Sequence, residues 1–250
     1  MAFEHGVILP NFGSGATPQG VLHVTEAAER LGFDSVWTTE HLLVGPEAVD
    51  PYATVLDSLT VLAWLAGRTE RVALGTSIVI LPLHHPIRLA KETATLQQIS
   101  GGRLKLGVGV GWHEDEFRSF GVPFAGRGRR TDESIRLLRA LWRGESSFAG
   151  ELWSFEDATA RPLPDPPPEI WIGGRSVRRA LELGDVWHPT RISPDGLREV
   201  KGEHAKLRIV PRTAAEHVDG LREAGADGVV VSFGTEPNEI VAAMERFELS

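Results

Sequence analysis

Short apolar runs alternate with amphipathic helical patterns along the whole chain, and this alternation limits the folds that it can adopt. The runs that we interpret as strands are 5–9, 34–38, 72–81, 103–108, 169–172, 185–187, 206–210 and 228–233. Most are continuously apolar, which is typical of parallel strands covered on both faces. Eight strand–helix units predict an α/β protein with a closed (β/α)8 TIM barrel, in one domain over residues 1–250.

An open, doubly wound sheet is the alternative architecture. Its dinucleotide-binding form carries the fingerprint Gly-x-Gly-x-x-Gly after the first strand. Here the glycines of Gly107–Gly111 follow the fourth strand and have a different spacing. The barrel is therefore the favoured prediction.

Polar residues before several amphipathic segments predict where helices begin. The expected N-caps are Thr17, Asp57, Thr131 and Thr213. Asp132 and Glu133 would then lie in a first turn, where the helix dipole favours acids, and Glu216 would complete a capping box with Thr213. Only a reduced helix, around residues 197–204, is expected between the sixth and seventh strands.

Between the fourth and fifth strands the chain departs from the regular rhythm. Residues 145–168 form an excursion in which 148–153 indicate a small hairpin and a proline-rich connector follows. Elsewhere the composition is that of a globular protein, so the excursion is interpreted as an insertion within the single domain.

Composition excludes several classes of function. The sequence has no cysteine, which excludes disulfides, thiolate metal sites and cysteine nucleophiles. A formal net charge of -8 argues against a nucleic-acid partner. No apolar run approaches the length needed to cross a bilayer, and the first residues do not form a signal peptide. We therefore expect a cytoplasmic protein with a small-molecule substrate and no membrane partner.

In a barrel of this kind, ligands bind at the carboxyl ends of the strands. Gly173, Gly174, Arg175 and Ser176 follow the fifth strand and precede a helix. Glycines allow close approach of backbone, the helix start offers N–H groups, and the arginine adds positive charge, so a phosphate would be well held there. A plain strand–helix turn explains the same residues equally well.

His41 stands at the end of the second strand beside an acid, Glu40. A histidine there can donate or accept a proton, and Glu40 would favour its charged form if the chain turns at this point. The alternative is a structural histidine that fixes the loop to Gly45. His84 and His85 are interpreted as loop residues, because adjacent side chains rarely chelate one metal ion.

The segment from His113 to Glu116 is interpreted as a solvated helix start. Its acids would lie where the helix dipole favours them. No metal site is expected here or elsewhere in the chain.

The same strand ends carry a resemblance to a known family. The matching motifs are Phe33–His41, Arg71–Ser77 with Pro82 and His85–Pro86, Ser100–Leu104, Gly109–Trp112, Glu116–Phe117, Phe120–Gly121, Ile170–Gly174 with Ser176, and Leu183–Asp185. In this order they resemble the bacterial luciferase-like monooxygenases. The pattern is most similar to the branch of oxidoreductases that use the deazaflavin coenzyme F420, since Leu42 stands where flavin-using members often have a second histidine.

The resemblance implies roles for individual residues. His41 corresponds to the active-site histidine of the family, and a non-proline cis peptide at Ser77–Ile78 is expected in a bulge that supports the coenzyme ring. Trp112 stands where family members that oxidise a sugar phosphate have a glutamate, so that substrate is not assigned. The residues expected to bind the cofactor are Glu40, Ser77, Ile78, Ile80, Gly111, Trp112, Gly173, Gly174, Arg175 and Ser176.

The function that follows is hydride transfer between F420 and an unidentified small organic substrate. One alternative is a monooxygenase that uses reduced FMN and O₂ on the same fold. Another is a barrel that binds a ligand without turnover, which a reduced sixth helix would favour. Dimers are common in the family, so a homodimer is expected as its assembly.

Overall fold

The computed structural model describes residues 2–45 and 49–249, in which strands and helices alternate. The strands are β1 (Glu4–Ile8), β2 (Ser35–Thr38), β3 (Ala73–Thr76), β4 (Val79–Ile80), β5 (Leu104–Gly109), β6 (Phe148–Ala149), β7 (Ser154–Phe155), β8 (Glu169–Gly173), β9 (Val186–His188), β10 (Arg212–Ala214) and β11 (Gly228–Ser232). The helices are α1 (Pro18–Leu31), α2 (Val49–Tyr52), α3 (Ser58–Ala66), α4 (Pro86–Ile99), α5 (Glu114–Ser119), α6 (Arg127–Trp142), α7 (Val177–Leu183), α8 (Pro194–Glu203), α9 (Val218–Glu223) and α10 (Pro237–Arg246).

One parallel sheet forms the barrel. Its strands lie in the order β10, β11, β1, β2, β3, β5, β8 and β9, and β4 continues the third position by pairing with β5. Parallel bridges from Trp187 to Ile209 and from Thr190 to Arg212 join the two ends of this order. The sheet is therefore closed, and the predicted eight-stranded barrel is confirmed.

Alternation along the strands separates the barrel interior from the layer beneath the helices. In β1, Ile8 packs with interior residues such as Trp37 and Trp171, whereas Val7 packs with the helix layer that includes Val24 of α1. Period-two alternation sends neighbouring side chains to opposite faces of a sheet. The interior is therefore a packed core beneath the strand ends.

Trp37 needs the space that neighbouring strands leave for it. A Cβ at Gly6 would lie 2.5 Å from the Trp37 indole, and one at Gly75 would lie closer still. At the amino end of the barrel, Glu4 forms ion pairs with Lys105 and Arg208. These groups close the end of the barrel that lies away from the expected site.

The predicted caps of α1 and α3 are confirmed. Thr17 Oγ1 accepts a hydrogen bond from Gly20 N at 3.0 Å, and Asp57 Oδ1 accepts one from Thr60 N at 2.8 Å. Such caps satisfy amide groups that the first helical turn leaves without partners.

The predicted start of α6 at Thr131 is wrong. The helix begins at Arg127, so Thr131 lies in its second turn and donates its hydroxyl proton to Arg127 O at 2.9 Å. Asp132 and Glu133 are buried and serve tertiary contacts. Asp132 pairs with Arg179 of α7, and Glu133 accepts backbone N–H bonds from the hairpin loop, at 2.7 Å from Leu152.

Two further predictions around the seventh strand are wrong. The paired strand is β10 (Arg212–Ala214), and the predicted run 206–210 contributes only the bridge at Ile209. Thr213 lies within β10 and caps no helix, since α9 begins at Val218 without a side-chain cap. The helix before this strand is also longer than predicted, because α8 spans ten residues.

The excursion between the fourth and fifth barrel strands forms as predicted. Strands β6 and β7 pair antiparallel, with Phe148 opposite Phe155. Prolines then lead into β8, with cis peptide bonds before Pro162 and Pro166.

Candidate active site

The sequence-predicted site residues gather at the carboxyl end of the barrel. Glu40 and His41 follow β2, Ser77 and Ile78 join β3 to β4, and Ile80 ends β4. The remaining predicted residues follow β5 (Gly111 and Trp112) and end β8 or precede α7 (Gly173, Gly174, Arg175 and Ser176).

His41 is paired with a carboxylate that comes from a different loop. Its Nδ1 lies 3.1 Å from Oε2 of Glu116, and the side chains are 4% and 1% exposed. Oε1 of Glu116 accepts backbone bonds from Leu42 at 2.5 Å and Leu43 at 3.1 Å. Burial opposes the charge on Glu116, but these hydrogen bonds outweigh burial and hold the pKa of its carboxyl below the ordinary value.

This pair corrects two predictions. Glu116 was expected at a solvated helix start, yet it is buried at the beginning of α5. Glu40 was expected to favour the charged form of His41, but the carboxylate against His41 is that of Glu116. The loop contact to Gly45 is made by His113, whose Nε2 accepts the Gly45 N–H at 2.9 Å.

Glu40 instead fixes the segment after the third barrel strand. Its Oε2 accepts the Ile80 N–H at 2.7 Å and lies 3.0 Å from His84 Nε2, while its Oε1 accepts the Ser58 hydroxyl at 3.3 Å. Burial opposes a charge on His84, but the hydrogen bond to Glu40 and the negative charges of Glu40, Glu92 and Asp57 together outweigh it and raise the pKa of the imidazole. His84 is thus a partner of Glu40 rather than the simple loop residue that was predicted.

The Ser77–Ile78 peptide bond is cis, as predicted. The Ser77 hydroxyl lies 2.9 Å from Nε2 of His188, and Nδ1 of His188 lies 2.6 Å from Val210 O. Burial lowers the pKa of His188 to about 4. A neutral imidazole that donates from Nδ1 to the carbonyl leaves Nε2 to accept the Ser77 proton, so the bulge is tied to β9 and to the strand that closes the barrel.

Glycines on the neighbouring strands leave space for the Ile78 side chain. A Cβ at Gly109 would lie 2.7 Å from the Ile78 side chain, and one at Gly173 would lie 2.6 Å from it. Ile78 itself is half-buried. A half-buried apolar side chain held between strand ends in this way is a surface on which a flat ring can lie.

The junction of β8 and α7 leaves room for an anion. Gly174 has φ +85° and no heavy atom within 4 Å of the position that a Cβ would take. Arg175 beside it is exposed. Ser176 caps α7, since its Oγ accepts the Arg179 N–H at 3.2 Å. The residues at both places therefore fit a cofactor with a planar ring and a phosphate.

Gly111 and Trp112 form the rim beside His41. A Cβ at Gly111 would lie 2.7 Å from the Ile80 side chain, so only glycine fits. Trp112 is 59% exposed, and its ring stands 5.6 Å from the His41 ring at 80°. A large apolar surface is thus presented at the mouth of the barrel, next to a shielded imidazole.

Sequence analysis missed Arg212. Its Nη1 donates to Thr39 Oγ1 and to Ser77 O, both at 3.1 Å. Burial lowers the pKa of its guanidinium. The predicted strand 206–210 already places Arg212 just beyond a carboxyl end, but no neighbouring acid, histidine or glycine pair marked it as a candidate.

A loop and a small cavity lie near the site. Within the loop 42–56, residues 46–48 lie outside the described residues. A cavity of about 260 Å³ borders this loop and is lined by Gly13, Ser14 and residues 49–51, 53 and 54. Among the described residues, no group of histidine and acidic side chains could hold a metal ion, and no helix is long and apolar enough to cross a membrane.

Comparisons with known proteins identify the family and the fold of the chain. The family model of luciferase-like monooxygenases matches residues 3–208. The FMNH2-dependent dimethylsulfone monooxygenase of Pseudomonas putida is 34% identical over 221 residues, which are 85% of this chain and 58% of that protein. The F420-dependent glucose-6-phosphate dehydrogenase of Beutenbergia cavernae is 37% identical over 180 residues, 67% of this chain and 51% of that protein.

This chain therefore spans between half and three-fifths of the length of those two relatives. Among solved structures, an F420-dependent secondary alcohol dehydrogenase with an F420–acetone adduct superposes with a TM-score of 0.83. The superposition covers 99% of this chain and 98% of that one at 18% identity, a likeness that shows the fold.

Proposed function

Because this chain belongs to the luciferase-like monooxygenase family, we propose that it is an oxidoreductase that transfers a hydride between coenzyme F420 and a small organic substrate. The observation that carries the proposal is the buried His41–Glu116 pair at the same end of the barrel as the Ser77–Ile78 bulge, because a proton-handling group and a surface for a planar ring would then serve one site. When bound, the reduced deazaflavin supplies the hydride.

In this proposal the chain holds the coenzyme at two places. Ile78 and the backbone at Ser77 support the ring, and the N–H groups from Gly173 to Ser176 receive the phosphate with Arg175 as counter-charge. Glu40 acts at a distance, because its hydrogen bonds to Ile80 N and His84 fix the segment that follows the bulge.

His41 manages the proton that accompanies the hydride. The Glu116 carboxylate accepts from Nδ1, so the second ring nitrogen, Nε2, is the one that can exchange a proton with substrate. With its side chain 4% exposed, the imidazole is shielded from bulk water. A proton delivered from such a site reaches the substrate rather than the solvent.

Two titrations of the purified protein test the cofactor assignment. Oxidised F420 and FMN are added separately, and fluorescence of the coenzyme and of tryptophan is followed. Tight binding of F420 with weak binding of FMN is expected, and the reverse preference would contradict the proposal. Binding of F420 without hydride transfer to any carbonyl, imine or activated alkene would identify a binding protein without turnover.

A monooxygenase that uses reduced FMN is the second candidate. The observation that favours it is the similarity to the dimethylsulfone monooxygenase over 85% of this chain. In that case FMN would bind preferentially, and consumption of O₂ would depend on reduced FMN and on substrate.

A further inference from the structure

Arg212 differs from Arg179, Arg208 and Arg103 in what surrounds its charge. Arg179 pairs with Asp132, and Arg208 pairs with both Glu4 and Glu169. Arg103 has no such pair, but its guanidinium donates five hydrogen bonds, four of them to backbone carbonyls. Each of these charges is matched by acids or by a full set of acceptors.

Arg212 has neither kind of compensation among the described residues. Only its Nη1 is engaged, by two neutral acceptors, Thr39 Oγ1 and Ser77 O. A guanidinium has five N–H donors and remains charged at neutral pH. The other donors are not among the buried unpartnered atoms, and the residue is half-buried, so these donors remain available to a ligand. Among the described residues, the Arg212 guanidinium therefore has no carboxylate partner for its charge.

A row of aromatic rings leads away from this cation. The guanidinium carbon lies 6.0 Å from the Phe12 ring, and Phe12 lies 5.7 Å from Tyr52. Tyr52 lies 4.3 Å from His41, and His41 lies 5.6 Å from the exposed Trp112. The row begins at the half-buried Arg212 guanidinium, passes His41, and ends at Trp112 on the rim.

We propose that Arg212 determines substrate specificity by binding the carboxylate of an aromatic or otherwise planar organic acid, whose apolar body lies along the row Phe12, Tyr52 and Trp112. A guanidinium suits a carboxylate because two parallel N–H groups can bind its two oxygens. The body of the substrate would then pass His41. This inference rests on the proposed function, for which it names the substrate class.

The test compares benzoate with benzamide, which has the same shape and no charge. Binding to the wild-type protein is followed by tryptophan fluorescence and calorimetry, with and without saturating coenzyme. Benzoate should bind at least tenfold more tightly than benzamide. Equal affinities, or no binding of either compound, would overturn the inference without any variant.

Variants locate the anion. Arg212→Gln should remove the preference for benzoate, Arg212→Lys should keep part of it, and Arg136→Gln, at an exposed site on α6, should change nothing. If Arg212→Gln weakens binding of F420 or FMN and leaves the benzoate preference intact, Arg212 is a coenzyme contact and the inference fails.

The same titrations separate the two proposals. A benzoate preference in a protein that binds neither coenzyme would reject the oxidoreductase function and retain the anion site. Coenzyme binding without the preference would reject the anion site alone.

Discussion

Nδ1 of His41 lies 3.1 Å from Oε2 of Glu116, although 75 residues separate the two in the chain. The strand that ends before His41 and the helix that begins before Glu116 belong to the second and fourth units of the barrel. Their contact holds the loop after β2 against helix α5, because Glu116 also accepts hydrogen bonds from the N–H groups of Leu42 and Leu43.

The substitution His41→Asn tests the role of this histidine in catalysis. The asparagine side chain would keep a hydrogen-bond donor for Glu116 but remove the group that titrates. We expect hydride transfer to fall by about 10²–10⁴, the usual contribution of a positioned acid or base. Coenzyme affinity and melting temperature should stay close to wild type, as measured by fluorescence titration and thermal unfolding. Preserved turnover, or a loss of stability as large as the loss of activity, would assign His41 a structural role.

Glu116→Gln tests whether the carboxylate positions His41. The amide keeps the shape and one acceptor but removes the negative charge, so the pH profile of hydride transfer should shift while coenzyme affinity is unchanged. We expect a loss of about 2 kcal/mol in unfolding free energy at neutral pH, typical of a hydrogen bond to a charged group.

The pH dependence of that loss has a definite sign. The pKa of Glu116 is lowered in the folded protein, so its stabilisation is complete above the ordinary value of 4.5 and disappears as pH falls through the folded value. The difference between wild type and Glu116→Gln in urea unfolding should therefore shrink below about pH 4.5. A difference that stays constant down to pH 3 would contradict the ion pair.

The ends of the strands could be predicted from the sequence, whereas the partners of the site residues could not. The run ending in Glu40 and His41, and the glycines at 173 and 174, mark ends of buried strands through composition alone. Which carboxylate meets His41 depends on how two distant loops pack, and no local pattern encodes it. Glu116 did carry one signal, since it precedes the buried Phe117 in a short helix whose first turn packs inward.

The position of His188 inside the barrel could also have been predicted from the sequence. It lies two residues after Val186 in β9, and period-two alternation places both on the inner face of the barrel. Arg212 also follows the predicted strand 206–210, but no motif beside it indicated a ligand, so it was missed. The boundary was misplaced since the apolar residues Leu207, Ile209 and Val210 pack in the core without forming the paired strand.

His188 should make the folded protein sensitive to mild acid. Its pKa falls from 6.5 to about 4 on folding because it is buried and neutral. Stability is therefore complete above pH 6.5 and is lost as pH falls toward about 4, by roughly 3 kcal/mol. Urea unfolding of the wild type between pH 7.5 and about 4 measures this slope, which has the opposite sign to any contribution from His84.

Two substitutions assign the acid-sensitive slope. His188→Gln should lower stability at pH 7.5 through the lost bonds to Ser77 and Val210 but flatten the curve below pH 6.5. His217→Gln, at an exposed histidine, should follow the wild-type curve. If His188→Gln keeps the full wild-type slope, another group is responsible.

Gly174→Val tests the phosphate site at the end of β8. The backbone there has φ +85°, which disfavours a branched side chain, and the open space within 4 Å would be filled by the new methyl groups. Coenzyme binding should weaken by at least tenfold, or about 1.4 kcal/mol. Gly101→Val is the matched control, because Gly101 has φ +66° and equally open surroundings but precedes β5 at the opposite end of the barrel. Both variants should lose similar stability, and only Gly174→Val should lose coenzyme affinity. If the two bind F420 and FMN equally well, the phosphate is held elsewhere.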